Sequence, residues 1–207
     1  ESIDEIKRTM TDVPVSDGHA LGDVLQEWAI RHLQTELPGY LSNARTVVLG
    51  GLNHARTTQL LREFTDNIDF ADPLLRFDLP AKVASRPLLG LAVAGALWPT
   101  HQLPGVVKAQ IQAPGTRLSH ALARKAARDA DVVVATYDEL VGFGLEDLAG
   151  KTVISSAISE ERLADLGDRG VDMVLDSVPQ PFPVTVTAAV LEAMMHAVVG
   201  GGRLTND

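Results

Sequence analysis

The stretch RTVVLGGLNHA, Arg45 to Ala55, decides how the chain is read. Its first part, RTVVLG (45–50), is a short β-branched apolar run, the composition of a strand buried on both faces. Gly50 and Gly51 follow at once and allow a tight turn. Beyond them Leu60, Leu61 and Phe64 predict a helix over 53–65 with those side chains inward. A strand, a glycine turn and a helix in that order open a doubly wound α/β fold. In such a fold the first turn carries a ligand's phosphates at the carboxyl end of the sheet.

Working outward, the same rhythm recurs. Before the stretch, Leu21, Val24, Leu25, Trp28 and Leu33 recur at three- and four-residue steps, which predicts a helix over 17–36 ended by LPGY. After it, NIDFAD (67–72) reads as the next strand. Over 73–115 the pattern is least legible; residues 88–98 suit a helix, and Val107, Ala109 and Ile111 alternate like a strand. Then come a helix at 116–129, a strand at 131–136, a loop, and a strand at 152–157. A helix at 159–169 takes Ser159 as N-cap, pairs Ile158 with Leu163 as a staple and stops at Gly170. A strand at 171–176 and a helix at 184–199 close the series. Strands alternating with helices predict a doubly wound, mostly parallel, Rossmann-like sheet, with helices on both faces and an N-terminal flanking helix. The domain spans 14–200; residues 1–13 read as a tail or severed linker, and 201–207 as a tail.

Bulk properties narrow the function. The chain's 207 residues, 45 % of them hydrophobic, can bury a proper core in one domain. A net charge of −9 repels phosphate backbones, so a nucleic-acid partner is not expected. No stretch reaches the roughly 18 apolar residues that span a bilayer; PLLGLAVAGALW stops at Pro99. No signal peptide is visible in ESIDEIKR, and cytoplasm is the expected compartment. The absence of cysteine excludes disulfides, thiol catalysis and thiolate metal sites. Six histidines show no metal-ligand spacing, so no metal is expected. Neither a G-x-S-x-G elbow nor a Walker A loop occurs, and the apolar last segment reads as a helix where an S-adenosylmethionine methyltransferase ends in an antiparallel strand.

The turn after the first strand is the candidate cofactor site. Against G-x-G-x-x-G counted from Gly50, Leu52 stands for the second glycine and Ala55 for the third. Leu52 therefore adds a side chain where backbone approaches pyrophosphate. Gly50, Gly51, Asn53 and His54 are the candidate contacts in the turn, with Arg56 as a further donor. Asp72 falls 22 residues after Gly50, close to the ~20 expected of a carboxylate on a ribose 2′-hydroxyl. A carboxylate there favours NAD over NADP; equally, ADP (71–73) is a turn-forming tripeptide. Thr136, Tyr137 and Asp138 after one strand, and Ser155 and Ser156 within the next, fall on the same edge, where nicotinamide contacts and ordinary strand ends look alike. Thr136 joins the candidate set.

Asp17 is a good helix N-cap, with Ser16 as competitor. Its segment, SDG (16–18), leads a helix, a short loop, and then the strand and glycine turn. In this order the chain resembles the shikimate/quinate dehydrogenase family, whose members carry TDG ahead of the helix entering the cofactor domain. Over 14–200 it is similar in particular to the branch labelled quinate 5-dehydrogenase, through PVSDGHALGDVL, FADPLLRFDLP, GKTVISSAISEERLADLGDRGVDMVL and VLEAMMHAVVG. The resemblance implies an NAD(P)-binding oxidoreductase domain in which Asp17 is the active-site aspartate, working beside a lysine on the substrate hydroxyl. In the family that lysine lies in a separate N-terminal domain; here Lys7 lies in the tail and Lys151 at the amino end of a strand. The loop after the last strand, SVPQPFPVTVTAA, is stiffened by Pro179, Pro181 and Pro183 where the branch has a polar, glycine-containing one. Two readings follow: a dehydrogenase cofactor domain binding NAD, and a catalytically inactive Rossmann-like module for binding, regulation or assembly. A homodimer through alanine-rich helices is the oligomeric expectation.

Overall fold

The computed structural model describes residues 18–49, 54–71, 117–178, 180 and 184–199. In chain order the elements are α1 (His19–Glu36), α2 (Tyr40–Asn43), β1 (Thr46–Val48), α3 (Ala55–Leu61), β2 (Ile68–Phe70), α4 (Arg117–Asp129) and β3 (Val132–Val134). Then follow α5 (Tyr137–Gly142), β4 (Thr152–Ser155), α6 (Glu160–Asp168), β5 (Met173–Asp176) and α7 (Ala188–Val199).

Among the described residues the sheet has five strands in the order β2-β1-β3-β4-β5, every neighbouring pair parallel. Val47 sits between Asp69 on β2 and Val133 on β3, which places β1 and β3 side by side at the centre. From there the chain runs outward in both directions. Right-handed crossovers running opposite ways must put their helices on opposite faces. The core divides accordingly. Val47, Leu49, Val133, Ala135 and Val153 pack with Ala123, Ala126 and Ala127 of α4, Leu140 of α5 and Leu166 of α6. Val48, Val134, Ile154, Ile68 and Phe70 pack with Ile30 and Leu33 of α1, Leu41 of α2 and Leu60 and Leu61 of α3. Each fully buried Leu, Ile or Phe contributes about 1.5–3 kcal/mol. The architecture is the doubly wound, Rossmann-like one expected from the strand–helix rhythm.

The periodic residues of α1 divide between core and solvent: Leu33 is buried as the pattern implies, while two others are not. Val24 and Trp28 point to solvent, Trp28 stacked on His32 with ring centroids 5.1 Å apart. Ala29, Ile30 and Leu33 make the buried stripe. The N-cap is Gly18, one residue beyond the expected Asp17, which itself lies outside the described residues, and Gly18 has no side chain to cap the helix. The cap comes from far along the chain: Leu21 N–H donates to Glu192 Oε2 of α7 at 3.0 Å. Gly18 is required there, because its φ is +75° and a Cβ would lie 2.3 Å from the backbone nitrogen of Ala189. At α6 the expected cap is present, Ser159 Oγ accepting from Arg162 N–H at 3.2 Å; of the two residues expected to staple it, Ile158 is buried and Leu163 half exposed. The loop expected after β3 contains α5, six residues begun by a capping box: Thr136 Oγ1 accepts from Glu139 N–H, and Glu139 Oε2 accepts from Thr136 N–H. The expectations over 73–115 lie outside the described residues, as do Pro179, Pro181, Phe182 and Pro183 of the proline-rich loop. Among the described residues no helix is long and apolar enough to cross a membrane.

Candidate functional site

With β1 and β3 adjacent and their connections leaving in opposite directions, the crevice between their carboxyl ends is the topological switch point, where open α/β sheets bind ligands. Two of the residues singled out in the sequence meet there. His54, on the turn entering α3 after β1, places Nε2 3.0 Å from Glu139 Oε2 on α5 after β3. An ionised carboxylate only accepts, so Nε2 bears the hydrogen. The same oxygen accepts from Thr136 N–H at 2.8 Å. His54 and Thr136 are thus joined through one carboxylate that spans the switch point, and both members of the His–Glu pair are largely shielded from solvent. Arg56, the further phosphate donor expected on this turn, donates instead to Glu27 Oε2 of α1 at 2.7 Å. Arg31, and then Arg56, hold the Glu27 carboxyl below the usual carboxylate range. Asp17, Gly50, Gly51, Asn53 and Asp72 lie outside the described residues.

Beneath this edge is a cavity of about 20 Å³ between α1, α3 and the ends of β3, β4 and β5. That is room for about one water. Its polar walls are Gln26, His54, Thr57, Ser155, Ser156 and Ser177. Thr57 Oγ1 donates to Gln26 Oε1 at 2.8 Å, and Ser177 Oγ donates to the Ser155 carbonyl at 3.2 Å. Ser155 Oγ is buried and has no protein partner. An orphaned buried hydroxyl costs about 1–3 kcal/mol unless a water or ligand satisfies it.

The turn after β4 is unusual in its backbone. Ala157 has φ +56°, the left-handed region that alanine rarely enters. Asp176 holds it there: Oδ1 accepts from Ala157 N–H and Val178 N–H, both at 2.9 Å, and Oδ2 from Ile158 N–H at 2.8 Å. Burial pushes the Asp176 carboxyl above its usual range, outweighing these three donors. Strain and a perturbed acid beside the ligand edge are what functional edges carry, and structural networks carry them too.

Sequence reasoning passed over Glu139, Asp176 and Glu192. Glu139 had a signal, the T-x-x-E spacing from Thr136. Lys151 is confirmed at the opposite edge, its Nζ donating to the carbonyls of Arg128 and Ala130. Larger surface hollows also open on that side, one of about 380 Å³ lined by Arg124, Arg128, Glu146, Asp147 and Lys151. It mixes both charge signs and carries none of the candidate residues. Among the described residues no group of three or more His, Asp or Glu is arranged to hold a metal ion.

No curated protein and no solved structure matches the chain. A family model, described as Domain of unknown function (DUF8754), does match, over residues 20–207. That is most of the chain and every element from α1 to α7, so the protein belongs to the DUF8754 family.

Proposed function

We propose that the chain is the NAD-binding domain of a shikimate/quinate-dehydrogenase-like oxidoreductase, with its cofactor laid over the carboxyl ends of β1, β3 and β4. The observation that carries this reading is the strand order, whose switch point falls between β1 and β3, beside the glycine turn and Thr136. The edge suits a polar ligand in one respect: the orphaned Ser155 hydroxyl has capacity for a further hydrogen bond. The 20 Å³ cavity is far too small for a nucleotide, so a cofactor lies across the rim and not inside it. In this reading the turn amides at Gly50 and Gly51 meet the pyrophosphate, with Asn53, His54 and Thr136 beside it, and Asp72 takes the ribose. NAD supplies a hydride acceptor, and Asp17 handles the proton of the substrate hydroxyl.

A specific observation favours the second reading, a binding, regulatory or assembly module without turnover. His54 and Glu139 satisfy each other across the crevice, which removes one candidate phosphate donor and leaves a carboxylate near an anionic ligand.

Thermal unfolding with NAD, NADP and S-adenosylmethionine separates the two. A ligand at about 100 times its Kd stabilises the native state by about 2.7 kcal/mol, roughly 5–10 °C for a domain of this size. The first reading expects that rise with NAD, a smaller one with NADP, and its loss in Asp72→Ala. No shift with any of the three at millimolar concentration removes the nucleotide reading. A shift with NAD but no oxidation of quinate or shikimate by the full-length protein selects the module.

A further inference from the structure

We propose that the cavity under the switch point is a binding site for one internal water molecule, which ties Ser155 to α1, α3 and the end of β5. Four parts of the chain meet there: Gln26 of α1, His54 and Thr57 at the start of α3, Ser155 and Ser156 at the end of β4, and Ser177 after β5. Ser155 is the residue that asks for a ligand. It ends a strand whose four residues are all buried, it is itself 6 % exposed, and its Oγ has no hydrogen-bond partner. Native proteins rarely leave such a hydroxyl unpaired.

The size and chemistry of the walls choose water. A volume of about 20 Å³ holds one water and excludes a phosphate, a carboxylate or a sugar ring. A buried cation needs a counter-charge, and no carboxylate lines the cavity. Cavities that stay dry are walled by apolar side chains alone; here Ile30, Val134, Ile154 and Leu175 share the wall with six polar residues.

A water also finds its full set of partners, which number two to four in buried sites. Thr57 Oγ1 gives its hydrogen to Gln26 Oε1, and Ser177 Oγ gives its own to the Ser155 carbonyl, so both oxygens are left as acceptors. Gln26 keeps its Nε2 hydrogens as donors, and Ser155 Oγ serves either way. Immobilising one water costs less than leaving the serine hydroxyl dehydrated. The bonds run from two helices to the ends of two strands, so the water pins the floor of the crevice. It belongs to the fold whichever reading of the rim holds, and a cofactor laid above would meet it before Ser155.

Replacing the serine gives opposite signs with and without the water. Ser155→Ala strips a bond from a hydrated cavity, and the urea midpoint is expected to fall by about 0.5 M. In a dry cavity the same change removes only an unpaired hydroxyl, and the midpoint stays or rises; that result overturns the proposal. Ser155→Val puts branched carbon into the space that the water takes. Oxygen-17 relaxation dispersion counts long-lived internal waters and is expected to register one fewer in Ser155→Val than in the parent chain. An equal count overturns the proposal. Should the valine variant fail to fold, a crystal structure of the parent chain decides. It is expected to show a water oxygen within about 3.2 Å of Ser155 Oγ and of a side-chain atom of Gln26, Thr57 or Ser177. No water there, or one held by Ser155 alone, overturns the proposal.

Discussion

Gly18 is fixed by what lies across from it. Its φ of +75° alone costs an alanine about 1–2 kcal/mol. A Cβ would also sit 2.3 Å from Ala189 N and 2.5 Å from its Cα, both backbone atoms that no rotamer change can move. Gly18→Ala therefore has to push α1 away from α7 and weaken the Glu192 cap on Leu21. The expected loss exceeds about 2 kcal/mol, the range of a strained backbone combined with a lost cap. Urea unfolding measures it, and an unchanged midpoint would mean that α7 does not lie against the start of α1. SDG is visible in the sequence, as a local cap at Asp17 and as a likeness to the TDG of a dehydrogenase family, but neither reading points to α7. A carboxylate 171 residues from its amide leaves no local trace beyond its own oddity, one Glu in the apolar run VLEAMMHAVV.

At the scale of elements, legibility followed burial. The central strands β1, β3 and β4 are buried throughout, so each is an apolar run that can hardly be read otherwise. The buried face of α1 was read only in part, at Leu33, because small Ala29 shares its stripe while the larger Trp28 faces water. Six-residue α5 is too short for periodicity and announces itself only by its cap. Pairing between β1 and β3 also has an electrostatic contribution at its entry. Asp131 Oδ2 accepts from Arg45 N–H at 2.8 Å and lies 3.5 Å from Arg45 Nε. The Arg45 amide, then its guanidinium, hold the Asp131 carboxyl below its usual value of 3.8. A lowered folded pKa means stability that is present above the unfolded value and lost as pH falls through the folded one. Asp131→Asn is thus expected to flatten the decline in urea midpoint below about pH 4. The effect should be small, toward the low end of the ~0.2–1 kcal/mol of exposed pairs, since both side chains are about half exposed. An identical acid limb in parent and variant would show that the contact does not outlast solvent competition.

For the whole molecule the governing quantity is charge. A net −9 opposes any anionic ligand unless the binding edge is locally neutral or positive. At the switch point His54 is hydrogen-bonded to Glu139, so a dinucleotide laid there meets a carboxylate. Glu139→Gln separates charge from architecture. Glutamine serves the capping box as glutamate does, so α5 and Thr136 keep their arrangement. The lost carboxylate frees His54 to donate to a phosphate and removes a repulsion on the order of 1 kcal/mol at a solvent-screened rim, about fivefold in Kd. NAD is therefore expected to bind Glu139→Gln about fivefold more tightly at 20 mM salt, and the gap should narrow at 200 mM as screening shortens the reach of both charges. Calorimetry in the two buffers measures both. Equal affinity for parent and variant would place the bound anion away from the β1–β3 crevice. Weaker binding would mean that the His–Glu pair organises the rim, and that its charge is needed for shape more than it costs in repulsion.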